Sequence, residues 1–91
     1  MNIGETLKVL SDPVRRRILE LLKNEPMTAG SIADAVEMTP AAVSYHLKLL
    51  KTAGFVLEYK EKNFIWYEIS TTIFDEIIMW MQQFGGATYE K

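Results

Sequence analysis

The 91-residue sequence predicts a small, mainly α-helical domain in which a β-hairpin follows the fourth of five helices. Three observations carry this prediction. Apolar residues recur every three to four positions as far as residue 53, as they do on one face of a helix. Capping residues, followed twice by proline, divide this part into four segments. Beyond residue 54 the chain becomes rich in aromatic and β-branched residues, which is typical of strands.

The first two helices are predicted on either side of Ser11. The first runs from residue 3 to residue 10. Its apolar side comprises Ile3, Leu7 and Leu10. Asp12 can cap the second helix, and Pro13 suits its first position because no N–H is needed there. This helix is predicted to end at about residue 23 and to bury Val14, Ile18, Leu21 and Leu22.

Two more helices form the centre of the chain. Thr28 is the predicted cap of a helix over 29–36, and Thr39 with Pro40 begins a helix that runs to Ala53 and is capped by Gly54. The fourth helix is predicted to bury Val43, Leu47 and Leu50. Its opposite face carries Ala41, Ser44, Tyr45 and Lys48. Two capped helices joined by a short turn, here 28–54, predict a helix-turn-helix.

A β-hairpin is predicted over 55–69, with strands at 55–59 and 64–69 and a polar turn at 60–63. Asn63 is the turn residue expected to adopt the left-handed backbone conformation. A helix-turn-helix followed directly by a hairpin is the winged-helix arrangement. In that arrangement the hairpin, or wing, reaches the DNA backbone or the minor groove.

The last helix, predicted over 72–85 with caps offered by residues 70–72, is apolar around an unusually wide arc of about 160°. The arc comprises Ile73, Phe74, Ile77, Ile78, Trp80, Met81 and Phe84. Such width predicts two buried surfaces, one within the protomer and one against a second copy. We therefore predict a homodimer in which this helix pairs together with Ile3, Leu7 and Leu10. The whole chain, 1–91, is predicted to be one domain.

The composition excludes several functions. The absence of cysteine rules out disulfides, thiolate catalysis and thiolate metal sites. The single histidine, His46, cannot form a tetrahedral metal site alone, so we expect a partly buried structural residue and no metal or cofactor. No nucleophile–base pair is recognisable, which argues against an enzyme. With no basic leader and no run of about 18 apolar residues, we expect a cytoplasmic protein without membrane insertion.

The charge pattern favours DNA binding although the net charge is −2. The middle of the chain is basic, whereas acidic residues predominate from Glu68 onward. The predicted phosphate contacts are Arg16, Lys48, Lys51, Lys60 and Lys62. Arg15, by contrast, is expected to be mainly structural, since successive residues of a helix project in different directions.

The leading half of the fourth helix is predicted to enter the major groove of DNA. The expected base-reading residues are Pro40, Ala41, Ser44 and Tyr45. A serine hydroxyl bonds to several base edges, and an alanine methyl suits the methyl group of thymine. Structural alternatives are a hydrogen bond from Ser44 to a carbonyl one turn back and packing of Tyr45 against the hairpin.

The segments SDPVRRRIL and VSYHLKLLKTAGFV together resemble the ArsR family of small dimeric winged-helix repressors, over residues 7–69. Among its subgroups the chain is most similar to the SdpR-like autorepressors, which lack metal sites. The resemblance implies repression. It favours sequestration by a regulatory protein as the inducing event over the alternatives of a membrane partner, a small molecule held between the terminal helices, or protein concentration alone. The chain departs from the family at the tip of the wing, where arginine and glycine are replaced by YKEKN.

The sequence thus predicts a dimeric, sequence-specific DNA-binding regulator that is not a thiolate metal sensor. Two-fold symmetry would place the two recognition helices about 34 Å apart, in successive major grooves of an inverted-repeat operator. The alternative is a winged helix used for protein–protein contact with little DNA affinity. The overall acidity and the absence of a wing arginine favour this alternative.

Overall fold

The computed structural model describes residues 1–86, which form five α-helices and three β-strands. In chain order these are α1 (Ile3–Leu10), α2 (Pro13–Leu22), β1 (Met27–Thr28), α3 (Ala29–Val36), α4 (Pro40–Thr52), β2 (Val56–Glu61), β3 (Phe64–Ile69) and α5 (Thr72–Gln82). The first four helices agree with the prediction to within one residue at each end. The last helix ends at Gln82 rather than at residue 85.

Polar caps begin α2, α3 and α4 as predicted. The Asp12 carboxylate accepts hydrogen bonds from the backbone N–H groups of Val14 and Arg15, at 2.7 and 3.3 Å. The hydroxyls of Thr28 and Thr39 accept from N–H groups three residues later, each at 3.2 Å. The predicted side-chain cap of α5 is wrong: the cap residue is Thr71, whose backbone is already helical and whose hydroxyl makes no capping bond.

The Asp12 cap leads to a stability prediction. Replacing Asp12 with alanine is expected to lower the free energy of unfolding by about 1 kcal/mol, because two N–H groups lose their acceptor. Partial burial raises the pKa of Asp12, but the hydrogen bonds from Val14 and Arg15 together with the nearby positive charge of Arg15 outweigh it, so the net pKa lies below its ordinary value. The stabilisation is therefore complete above the ordinary pKa and is lost as the pH falls through the lowered one.

Urea unfolding of the wild type and of Asp12→Ala at about pH 7 and about pH 2 measures this effect. The difference between the two proteins should shrink at the acidic pH. Asp34→Ala, which removes an exposed carboxylate from the interior of α3, is the control and should show no such loss. A difference of equal size at both pH values would contradict the capping account.

The same backbone motif ends both helices of the helix-turn-helix. At the end of α3, the N–H groups of Glu37 and Met38 donate to carbonyls of the last turn, and Glu37 has a left-handed backbone with φ 58°. At the end of α4, Gly54 and Phe55 make the equivalent bonds, and Gly54 has φ 90°. This motif reverses the chain sharply, which keeps α3 and α4 close together.

The wing is a longer hairpin with a tighter turn than predicted. β2 and β3 pair antiparallel from Val56 opposite Ile69 to Glu61 opposite Phe64. The predicted turn at 60–63 is wrong, because Lys60 and Glu61 continue β2 and only Lys62 and Asn63 connect the strands. The left-handed residue is Lys62, with φ 59°, and not Asn63.

A third strand, β1, was not predicted. Its residues Met27 and Thr28 pair with Tyr67 and Trp66 of β3, which gives the strand order β1-β3-β2. A two-residue strand has no alternation by which a sequence pattern could reveal it. Since Thr28 also caps α3, this pairing joins the helix-turn-helix to the wing.

The core fixes the orientation of α4. It comprises Ile18, Leu19, Leu22, Ile32, Ala33, Val43, Leu47, Leu50, Phe55, Val56 and Ile77. The predicted stripe of α4 is confirmed, whereas that of α2 is partly wrong: Leu19 is buried while Val14 and Leu21 are only half-buried. One side of α4 is therefore held in the core along its length.

Candidate nucleic-acid interface

The side of α4 opposite the core is exposed, and its residues form what we call the reading face. The reading face consists of Pro40, Ala41, Ser44, Tyr45 and Lys48. It begins at the N-terminus of α4, where the helix dipole is positive and favours an approaching phosphate. The structure therefore brings together on one accessible surface the base-reading side chains predicted from the sequence.

The hydroxyls of Ser44 and Tyr45 make no hydrogen bond within residues 1–86. In residues 1–86, the side-chain hydrogen bonds of α4 and its cap involve Thr39, His46 and Lys51, and neither hydroxyl takes part. Tyr45 is 59% exposed, and its ring lies edge-on to that of His46 with centroids 5.4 Å apart. Both hydroxyls are therefore available to a ligand.

A buried arginine–histidine pair lies behind the reading face. Nη1 of Arg15 is 3.1 Å from Nδ1 of His46, and Nε of Arg15 donates to the carbonyl oxygen of Val9 at 2.7 Å. Arg15 and His46 are each 9% exposed. The partial burial predicted for His46 is confirmed, and Arg15 is bonded within the protein.

The other two arginines of α2 differ from Arg15 and from each other. Arg16 is exposed, and its Nη1 donates to the carbonyl oxygen of Leu10 at 2.7 Å. Arg17 is exposed and lines a groove with Glu37 and Met38, beside the turn that precedes α4. The sequence predicted Arg16 and not Arg17 as a phosphate contact, although three consecutive arginines, about 100° apart on a helix, carry no clear signal of which one faces DNA.

The wing carries two different surfaces. Lys60 and Lys62 are exposed near its tip. Because cross-strand partners share a face, the register places one set of six side chains together, which we call the outer wing face. It consists of Leu57, Tyr59, Glu61, Phe64, Trp66 and Glu68. This apolar, acidic face lies on the side of the hairpin opposite Lys60, so the wing is not uniformly basic.

Lys51 is paired with the wing. Its Nζ lies 3.2 Å from Oε1 of Glu58, which joins the last turn of α4 to β2. Glu58 also lies opposite Tyr67, and burial together with the charge and hydrogen bond of Glu58 raises the pKa of Tyr67. A phosphate bound by Lys51 would have to displace Glu58, whereas Lys48 has no ion pair within the described residues.

The apolar arc of α5 is divided between the core and the surface. Ile77 is 7% exposed and belongs to the protomer core, which corrects its assignment to a dimer interface. The Phe74 ring packs against Phe55 with centroids 5.1 Å apart, and Leu10 and Ile73 also pack against the core. Helical periodicity alone does not distinguish a face that covers its own core from one that meets a partner.

The remaining apolar side chains form what we call the terminal apolar surface. It consists of Ile78, Trp80, Met81 and Phe84 with Ile3 and Leu7 of α1. Ile78, Met81 and Phe84 are 51%, 49% and 73% exposed, and Trp80 contacts Phe84 with ring centroids 5.1 Å apart. Large apolar side chains exposed in this number are typical of an interaction surface. Within residues 1–86, no helix is long and apolar enough to cross a bilayer.

Known proteins resemble this chain in both sequence and fold. A family model described as a helix-turn-helix domain matches residues 10–59. The transcriptional repressor SdpR of Bacillus subtilis (strain 168) is 39% identical over 82 residues, which cover 90% of this chain and 91% of SdpR. The arsenical resistance operon repressor of Staphylococcus aureus is 33% identical over 76 residues, which cover 84% of this chain and 73% of that protein.

A solved structure agrees with this similarity. The crystal structure of an ArsR family transcriptional regulator superposes with a TM-score of 0.83 at 22% identity, covering 91% of each chain. Four helices, a hairpin and a closing helix in this order define a winged helix-turn-helix protein, as the sequence predicts. The chain belongs to the ArsR family of winged-helix transcriptional regulators.

Proposed function

We propose that the protein is a homodimeric transcriptional repressor that binds an inverted-repeat DNA operator through α4. The reading face carries this proposal, because it is exposed while the opposite side of α4 is held in the core. Its hydroxyl and methyl groups suit base edges in the major groove. Since it has no arginine to bind guanine through two hydrogen bonds, DNA shape and bridging water contribute to specificity. The relatives described above are repressors by name.

Basic side chains around the reading face supply the contacts to phosphate. We assign this role to Lys48, Lys51, Lys60, Lys62 and Arg16, as predicted from the sequence. We add Arg17, which the structure shows to be exposed. Lys48 is the strongest of these candidates, because it lies on the reading face and is free of ion pairs among the described residues. Lys51 exchanges its exposed pair with Glu58 for a phosphate at little cost, since such pairs contribute about 0–1 kcal/mol.

The substitution Lys48→Ala tests the phosphate assignment. We expect weaker binding to operator and non-operator DNA alike, and a decrease of about one in the slope of log affinity against log salt. Lys23→Ala is the matched control, because Lys23 pairs with Glu20 at the end of α2 remote from Arg15. An unchanged salt slope for Lys48→Ala would contradict the assignment.

The terminal apolar surface supports the homodimer. Fully burying a large apolar side chain contributes roughly 1.5–3 kcal/mol, and two copies bring six such side chains from α5, namely Ile78, Trp80 and Met81 of each protomer. Even partial burial of these side chains gives a free-energy gain comparable to the association cost of about 4–15 kcal/mol. In the proposed two-fold dimer, the two reading faces enter successive major grooves, which are about 34 Å apart.

We propose that the repressor is not regulated by a thiolate-bound metal. The sequence contains no cysteine, and Nδ1 of its single histidine is already bound to Arg15. Sequestration by a regulatory protein stays a prediction from the resemblance to the SdpR-like subgroup. Co-purification of the repressor with the products of neighbouring genes, with and without operator DNA as competitor, tests that prediction.

Binding to DNA from upstream of the gene that encodes this chain tests the proposed function. Fluorescence anisotropy across a salt series should show a complex that prefers this DNA to a scrambled duplex and weakens steeply with salt. The absence of a salt-sensitive complex with any operator-sized duplex would contradict the proposal. It would favour the protein-interaction alternative.

A further inference from the structure

We propose that Arg15 is a positioning residue that fixes α4 to the C-terminal end of α1, so that the reading face keeps a set orientation to the dimer helices. This inference rests on the proposed DNA-binding function. It assigns Arg15 a role in specificity without any contact to DNA.

The geometry of the guanidinium carries the inference. Nε of Arg15 donates to the carbonyl oxygen of Val9 at 2.7 Å, and Nη1 lies 3.1 Å from Nδ1 of His46. Val9 is in the last turn of α1, where carbonyls lack a partner within the helix. A guanidinium is planar, so its two bonds are set at a fixed angle to each other. One side chain of α2 thereby determines how α1 and α4 lie relative to each other.

His46 transmits this constraint to the reading face. Because a guanidinium only donates hydrogen bonds, Nδ1 of His46 accepts, and the proton of a neutral ring lies on Nε2. His46 directly follows Ser44 and Tyr45 in α4, and its ring contacts that of Tyr45. The carboxylate of Asp12 lies 4.0 Å from Nη1 and balances the charge of the buried arginine.

A purely space-filling role does not account for this arrangement. Two apolar side chains would fill the same volume without the cost of removing a charge from water, but they would impose no direction. Arg16, in the same helix, provides a comparison. It also donates a hydrogen bond to the end of α1, at the carbonyl oxygen of Leu10, but it does not bond to α4. Arg15 alone among the three arginines connects both helices.

The test compares variants that break the connection with one that keeps it. In Arg15→Lys a single ammonium replaces the guanidinium, which bonds through both Nε and Nη1. His46→Leu removes the acceptor of the second bond. His46→Asn leaves an amide oxygen close to the position of Nδ1 and serves as the conservative rescue. We expect the first two variants to lose at least about tenfold in the ratio of operator to non-operator affinity, with dimerisation retained. His46→Asn should recover most of this loss.

A mild core truncation in the same helix, Ile18→Val, is the control for stability. It should lower the unfolding midpoint and leave the specificity ratio unchanged. The positioning role would be overturned by a wild-type specificity ratio in Arg15→Lys and His46→Leu. Equal losses of operator and non-operator binding would overturn it as well, because they indicate a general loss of active protein.

The imidazole ¹⁵N NMR spectrum of the DNA-free dimer separates this inference from the proposed function. It should show Nδ1 of His46 as the unprotonated, hydrogen-bonded nitrogen, and Arg15→Lys should abolish that signature. A ring protonated at Nδ1 would overturn the Arg15–His46 link whatever the DNA affinity. A wild-type protein that shows the signature but binds no operator would instead overturn the proposed function.

Discussion

Replacing Ile78 and Phe84 together with glutamate is expected to give a folded monomer that no longer binds the operator. Both side chains are exposed in the protomer, so its own core is unaffected. In the dimer each glutamate would have to lose its hydration without a partner, which costs several kcal/mol. A monomer presents one reading face to one half-site and loses most of the operator affinity.

Sedimentation equilibrium and circular dichroism measure this outcome. Met79→Glu is the matched control, because Met79 is 71% exposed on the same helix but lies outside the apolar arc assigned to the interface, about 100° around the helix from Ile78. It should remain a dimer that binds DNA. Phe74 and Ile77 are unsuitable for this test, since both pack in the protomer core. A double variant that still sediments as a dimer would show that the terminal apolar surface is not the interface.

The combined substitution Ser44→Ala and Tyr45→Ala is expected to abolish sequence preference while leaving non-specific binding and dimerisation intact. Each good base contact contributes about 1–3 kcal/mol of discrimination. Two lost contacts therefore lower the specificity ratio by roughly one to four orders of magnitude. Neither hydroxyl is bonded to the protein within residues 1–86, so the fold has no need of them.

Competition between operator and scrambled duplexes at one salt concentration measures the ratio. Thr52→Ala removes an exposed hydroxyl from the other end of α4 and is the matched control. It should retain the wild-type ratio. An unchanged ratio in the double variant would place base reading elsewhere in the chain.

Local signals explain why the helices were predictable from the sequence. Asp12-Pro13 and Thr39-Pro40 each combine a capping side chain with a residue that fits the first helical position, and these pairs set the starts of α2 and α4. Gly54 supplies the left-handed residue that ends α4. The 100° periodicity then separates the reading face from the core without any knowledge of the tertiary structure.

Two kinds of feature were not predictable: those that depend on contacts between distant residues, and backbone conformations that are unfavourable for the residue present. Glu37 and Lys62 adopt the left-handed conformation without being glycine or asparagine, because the surrounding turn hydrogen bonds and strand pairing impose it. β1 exists only because β3 offers it a free edge. The Arg15–His46 bond joins residues 31 positions apart. The placement of Ile77 in the core depends on how α5 packs, which periodicity does not reveal.

We propose that two copies of this chain read one operator together. The most direct test is the sedimentation-derived mass of the complex formed with an operator duplex, compared with that on a duplex carrying a single half-site. We predict two chains per full operator and a large loss of affinity on the half-site. One chain bound to either duplex with equal affinity would contradict the claim.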